Sequence, residues 1–279
     1  MRIRSSRSKV ERPIALEAAR AAVFDLDTLI SGGASADATA WKAVLDAFMI
    51  RRTRTAGASF EVETDYSEYA GGRTRTAGVR AFLASRGIEA SSRDVTRITT
   101  CLDATYEHQI RRVTVVSHPC AVALAKDLRR RGMAVAVVSA NRSCTLELAG
   151  AGIDDLADVR IDGQNAEYLG LTGHDDPELF AAATRLLRLE PVLCTAVLES
   201  ATAVTAARNA AFGLVIGIDQ ARHACALYAA GADAVLTDLT ALRTAHVHRT
   251  NTNDALPPWN SRARMASHQS VPAAKEKQF

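Results

Sequence analysis

Two carboxylates stand two residues apart at the end of an apolar run, Ala21-Ala22-Val23-Phe24-Asp25-Leu26-Asp27-Thr28-Leu29-Ile30. Val23, Phe24 and Leu26 favour a buried strand. A spacing of two lets Asp25 and Asp27 face one crevice at the strand's end. In an open parallel α/β sheet that crevice, outside the carboxyl ends of the strands, is where ligands bind. One carboxylate there can attack phosphorus as a nucleophile, and a second can ligate a cation or carry protons. Two solvated acids at an ordinary strand end would show the same pattern, so the pair alone does not identify a site.

Three more polar positions fall at the ends of other expected strands: Ser139, Asp162 and Glu199. Polar residues at several strand ends of one sheet converge on one crevice, and a site requires convergence. Ser139 can hydrogen-bond a phosphoryl oxygen, and a helix expected to begin near Ala140-Asn141 would add backbone N–H donors. Glu199 can join Asp25 around Mg²⁺, a hard cation that takes oxygen ligands and keeps waters. Singly, Ser139 suits a helix cap and Glu199 a solvated loop equally well.

The elements that must position these residues are legible from the pattern. After Pro119, strand and helix alternate: helix 121–131 closed by Gly132, strand 133–139, helix 145–149, strand 159–162, helix 177–189, strand 195–198, helix 201–209, strand 214–218, helix 221–230 and strand 234–236. Alternation of this kind means βαβ units and a parallel sheet. The unbroken apolar run at Met133–Val138 suits a strand buried on both faces. Residues 34–113 read as helical and strand-poor. Trp41, Val44, Leu45 and Phe48 recur at helical spacing after Asp37, a plausible N-cap. Further helices are expected over 79–87, closed by Gly87, and over about 93–112. The hexapeptide Arg-Thr-Arg-Thr-Ala-Gly occurs at Arg52–Gly57 and again at Arg73–Gly78. Two copies do not make a repeat architecture; they are coincidence, or one copy presents arginines to an anion.

The expected organisation is a mobile N-terminal segment (1–19), an α/β core (20–33 and 114–245) with helices on both faces of a Rossmann-like parallel sheet, an inserted helical cap (34–113) and a disordered basic tail (246–279) containing Trp259. The 279 residues carry 48% hydrophobic residues, ample for a core, and a net charge of only +3. Basic residues concentrate at the ends, which argues against an extended nucleic-acid surface but not against a small anion. No apolar run approaches the ~18 residues of a membrane span, and the basic start lacks a signal-peptide core. Five cysteines without CxxC or zinc spacing are expected to be reduced and mostly buried thiols of a cytoplasmic protein.

In order and spacing, Phe24-Asp25-Leu26-Asp27, Val138-Ser139-Ala140, Gly170-Leu171-Thr172-Gly173-His174 and Val197-Leu198-Glu199-Ser200 resemble the four motifs of the haloacid dehalogenase superfamily, in its β-phosphoglucomutase-like branch. Residues 206–217 and 231–239 are also close to that branch, and the chain is similar to the domain preceding the catalytic part of some trehalose-phosphate phosphatases. The resemblance implies a phosphohydrolase acting on a small phosphorylated metabolite, such as a sugar phosphate, through an aspartyl-phosphate intermediate. It implies Asp25 as nucleophile, Asp27 as general acid/base, and Ser139 and Ala140 at the phosphoryl group. Arg142 would grip a sugar phosphate, and Mg²⁺ would lie among Asp25, Asp27 and Glu199. A sugar-phosphate mutase and a non-catalytic binding module are the alternatives.

Several positions depart from the family. Thr28 stands in place of Gly, Asp37 in place of a cap His, His174-Asp175-Asp176-Pro177 in place of Lys-Pro-x-Pro, and Ser200 in place of the second acid of the fourth motif. The missing Lys matters most, since an ion pair at ~4 Å in a partly buried site is worth on the order of 4 kcal/mol. His174 is the residue left at the phosphate site. The loss of the second acid at Ser200 predicts weaker Mg²⁺ binding.

Overall fold

The computed structural model describes residues 19–53, 59–219, 223–237 and 239. The expected N-terminal segment up to 18, most of the first hexapeptide copy and the basic tail with Trp259 lie outside these residues. In chain order the elements are β1 (Ala21–Asp25), α1 (Leu26–Leu29), β2 (Ile30–Ser31), α2 (Gly33–Thr53), α3 (Val62–Asp65) with one π turn (Tyr66–Ala70), α4 (Arg75–Ser85), α5 (Ser92–Ile110), β3 (Val116–Ser117), α6 (Pro119–Arg130), β4 (Ala134–Val138), α7 (Cys144–Gly150), β5 (Val159–Ile161), α8 (Gly163–Tyr168), α9 (Pro177–Leu186), β6 (Cys194–Leu198), α10 (Ala201–Asn209), β7 (Leu214–Ile218), α11 (Ala224–Ala229) and β8 (Ala234–Leu236).

Six of the strands form one sheet in the order β5-β4-β1-β6-β7-β8, with every pairing parallel. Successive side chains of a strand point to opposite faces, and here both faces are apolar. Ala21 and Val23 join Leu179, Phe180 and Val204 of α9 and α10. Ala22 and Phe24 join Leu124, Leu128 and Leu148 of α6 and α7. Covering on both sides is why β1 and β4 read as unbroken apolar runs rather than alternating ones. From β1 the strand order runs outward through β4 on one side and β6 on the other. The carboxyl end of β1 is therefore the switch point where a crevice opens.

Helices α2 to α5 are inserted between β2 and β3, which pair as a short antiparallel ribbon. They bury their own core of Trp41, Leu45, Phe60, Phe82 and Leu102. Phe60 lies 6.0 Å from Trp41 and 5.4 Å from Phe82 between ring centroids, within the range of favourable aromatic pairs. A capping box at Ser91 and Asp94 opens α5.

Three local expectations are corrected. Asp37 does not cap its helix: α2 begins one turn earlier, and Asp37 lies buried inside it beside Arg75. The first strand stops at Asp25 and turns at once into α1, so Leu26–Leu29 is helix and Ile30 opens the separate strand β2. Thr28 is fully buried there and its hydroxyl donates to the Val197 carbonyl at 3.4 Å, a bond the family's Gly could not make. The cysteines are free thiols, but Cys101, Cys120 and Cys225 are exposed, so they are not mostly buried. Among the described residues, no helix is long and apolar enough to cross a membrane.

Candidate active site

The end of β1 places Asp25 at the switch point, buried and outside the lining of a cavity of about 120 Å³, and the turn into α1 presents Asp27 to that cavity. Asp25 is 2% exposed and its Oδ1 has no hydrogen-bond partner. Burial pushes its carboxyl up to about 6, with the Asp27 charge adding to the rise; a charge on His174 and the backbone N–H groups of Leu26 and Asp27 act the other way. Asp27 is exposed at the cavity yet surrounded by protein, and that enclosure, then Asp37, raises its carboxyl against the pull of His174 and His118. Glu199, half-buried at the end of β6, is pushed up to about 7 by burial and then by Asp27 and Asp25. These three acids feel one another's charge, which is the electrostatic signature of a functional site.

That donor chemistry suits a hard cation, and the unpartnered buried oxygen of Asp25 is a ligand in search of a partner. Among the described residues no three carboxylate, imidazole or thiol side chains stand close enough to cage a metal ion by themselves. Protein oxygens could therefore fill only part of a Mg²⁺ shell, which is how that ion is usually held, with water and phosphate completing it.

Ser139, Ala140 and His174 line the same cavity as Asp27. The N–H groups expected to serve an anion are engaged: Ala140 N–H donates to His174 Nε2 at 3.0 Å, and Asn141 N–H to Ser139 Oγ at 3.0 Å. His174 Nε2 accepts that bond and lies 3.4 Å from Asp25 Oδ1. His174 occupies the position of the family's Lys without supplying its permanent charge.

Other expected positions lie elsewhere. Arg142 does not line the cavity; it is held by Asp103 at 2.9 Å and by Glu167. Asp162, grouped with the strand-end site by sequence, instead caps α8, accepting from the N–H groups of Gln164 and Asn165 at 2.9 and 3.0 Å. Ser200 caps α10 and Asp176 caps α9, while Asp175 accepts from the Thr172 hydroxyl at 3.0 Å. The acids after His174 are thus spent on local structure.

Sequence reasoning missed the residues the helical block contributes. Arg73, Arg75, Asp37 and Tyr66 line the cavity opposite the sheet. Arg75 is 4% exposed, contacts Asp37 Oδ1 at 2.5 Å and Asp103 Oδ1 at 3.4 Å, and lies between the rings of Trp41 and Tyr106. The second hexapeptide copy was the available signal, through the reading in which it shows arginines to an anion. A short backbone pairing presents it: Thr74 N–H donates to Thr172 O at 2.8 Å, and His174 N–H to Gly72 O at 2.7 Å. Gly173, with φ +149°, is needed there because a Cβ would strike the Gly72 carbonyl. Glu147 was also missed; it lines the cavity from α7, 3% exposed, accepting from Asn141 Nδ2 at 2.9 Å.

No family model matches the chain. A protein of Mycobacterium tuberculosis named beta-phosphoglucomutase is 30% identical over 241 residues, covering 81% of this chain and 92% of that one. The chain belongs to the haloacid dehalogenase superfamily, in its β-phosphoglucomutase-like branch. A trehalose-phosphate phosphatase of Mycobacterium leprae is 38% identical over 122 residues, 42% of this chain and 27% of that protein. In fold, this haloacid dehalogenase-like chain is similar to the crystal structure of a beta-phosphoglucomutase from Clostridium difficile, with a TM-score of 0.66 at 18% identity over 80% of this chain and 93% of the other.

Proposed function

We propose that the chain hydrolyses a small phosphorylated metabolite, a sugar phosphate, with Asp25 as the covalent nucleophile. The buried, unpartnered Oδ1 of Asp25, with Asp27 beside it at the switch point, carries the proposal. Membership of the haloacid dehalogenase superfamily supports it, as do relatives named for sugar-phosphate substrates.

In the first step Asp25 Oδ1 attacks phosphorus; the new O–P bond forms as the P–O bond to the sugar breaks. Asp27, whose carboxyl is raised by its enclosure, gives its proton to the leaving oxygen. In the second step Asp27 takes a proton from water, the resulting hydroxide attacks phosphorus, and the Asp25–phosphorus link breaks to release inorganic phosphate. The Ser139 hydroxyl, which accepts from Asn141 N–H, keeps its own proton to donate to the transferred group, while the Ala140 N–H is committed to His174. Arg73 is the lining cation, among the described residues, with no carboxylate against it, and it makes up for the charge that His174 lacks. Asp25 and Asp27 would supply protein oxygens to Mg²⁺, with the charge of Glu199 beside them, and the ion would neutralise phosphoryl oxygens.

Phosphate release from glucose 1-phosphate and glucose 6-phosphate tests this. With Mg²⁺ present, Asp25→Asn lowers kcat by at least ~10³-fold, and chelation with EDTA lowers wild-type turnover. The acid limb of kcat/KM lies near pH 6, where Asp25 loses its proton. Wild type and Asp25→Asn showing the same background release would overturn the assignment.

A further inference from the structure

The half of the cavity that meets the part of the substrate beyond the reacting phosphoryl group contains a cation that is already spent. Arg75 faces Asp37 at 2.5 Å and Asp103 at 3.4 Å, and Asp103 is shared with Arg142, which also meets Glu167, so three carboxylates meet two guanidiniums and the connected group carries a net negative charge. Asp37 is in turn fixed by the Trp41 indole N–H at 3.2 Å and the Tyr66 hydroxyl at 3.1 Å. What Arg75 retains for a ligand is Nη2, a buried donor with no partner in a residue that is 96% enclosed and lines the cavity. One N–H group beside an over-compensated charge suits a neutral oxygen rather than a phosphate dianion.

Glu147 extends this wall. It stands next to Asn141, and a Cβ on Gly33 would crowd both its Oε2 and the Tyr106 hydroxyl, so these groups meet at one place. Burial, then the charges of Asp27 and Asp37, push its carboxyl up to about 8, against Tyr106 and Arg75. At neutral pH it carries a proton and can donate as well as accept. The wall therefore presents the Asn141 amide, a neutral acid, the Tyr66 hydroxyl and one guanidinium N–H, which together match the donors and acceptors of sugar or polyol hydroxyls.

We infer that Asp37 and Glu147 make this chain selective for monophosphates whose remaining groups are uncharged hydroxyls, and that they turn away a second phosphate. The inference rests on the proposed phosphatase reading and specifies its substrate class. With Arg75 committed, Arg73 remains for the phosphoryl group that reacts, so among the described residues there is one uncommitted lining cation for one phosphate.

The test compares glucose 6-phosphate with glucose 1,6-bisphosphate, on wild type and on Asp37→Asn, which releases Arg75 from its nearer acid. Wild type should prefer the monophosphate at least tenfold in kcat/KM. Asp37→Asn should shrink that preference at least fivefold through a lower KM for the bisphosphate. Glu147→Leu should raise KM for the monophosphate, and Glu147→Gln, which can still donate and accept, should restore it. A wild type that uses the bisphosphate as well as the monophosphate overturns the inference, as does an Asp37→Asn protein with an unchanged preference. Calorimetric titration of Asp25→Asn with both ligands separates this from failure of the phosphatase reading. Tighter monophosphate binding supports the selectivity even if nothing turns over, whereas equal binding or none refutes it. If Asp37→Asn does not fold, the wild-type preference and this titration decide the matter.

Discussion

The two walls of the cavity handle charge in opposite ways. On the sheet side, Asp25, Asp27 and Glu199 lie within reach of one another's charge, with the imidazoles of His174 and His118 acting on Asp27, and all three carboxyls are raised. On the helical side, acids alternate with arginines: Asp37, Arg75, Asp103, Arg142 and Glu167 form a continuous chain of ion pairs from α2 to α8. Glu167 also accepts from the Thr76 N–H at 3.0 Å, tying the start of α4 to the sheet domain's helix. The difference separates uses of buried charge. Where cations compensate acids within the protein, the charges hold architecture together. Where they do not, the acids await something from outside, a phosphoryl group or a cation.

The largest effect should come from breaking the compensated side. Arg75→Ala leaves Asp37 buried and Asp103 half-buried without their shared partner, and removing one member of a buried pair costs about 3–5 kcal/mol. Chemical denaturation should show that loss; a change below ~1 kcal/mol would mean the ion-pair chain does not support the fold. The uncompensated side should respond with the opposite sign. Asp25 holds its proton up to about pH 6 when folded, against 3.8 for an ordinary Asp, so between these values the folded state binds more protons and stability falls as pH rises. The fall is at most about 3 kcal/mol at ~1.4 kcal/mol per unit. Asp25→Asn should abolish this component and be the more stable protein at pH 7; denaturation midpoints of both proteins from pH 4 to 7 measure it. The smallest effect is expected from Arg142→Ala. Its side chain is 32% exposed, so solvent screens its pairs and the loss should be about 1 kcal/mol or less. Because Arg142 stands outside the cavity, KM should change less than ~3-fold; a tenfold rise would place it on the substrate and blur the contrast between the walls.

Much of the sheet side was legible in sequence. The strands 134–138, 194–198 and 214–218 were found within a residue because unbroken apolar runs between glycines and charged residues are local signals. The acid pair and Glu199 were placed at strand ends for the same reason, and β1 and β6 do end at Asp25 and Leu198. Sequence could not tell an acid that faces a cavity from one that caps a helix. Asp162 and Ser200 occupy strand ends just as Glu199 does, yet the backbone N–H groups two or three residues further on claim them. Glu147 was invisible because an acid in a seven-residue helix reads as a solvated face. The turn of that helix toward the cavity, not its composition, buries it.

By itself the sequence determined the parallel sheet, the crevice at the end of Phe24-Asp25-Leu26-Asp27, and the replacement of a permanent cation by His174. Hydrophobic periodicity and residue chemistry are properties of neighbours along the chain, so they survive without a structure. Only the tertiary structure decided which charges are matched. Arg142 meets Asp103 across 39 residues of chain and Glu167 across 25, and Arg75 meets Asp103 across 28. Compensation falls off steeply with distance inside a protein, and distance between segments is set by packing rather than by order in the chain.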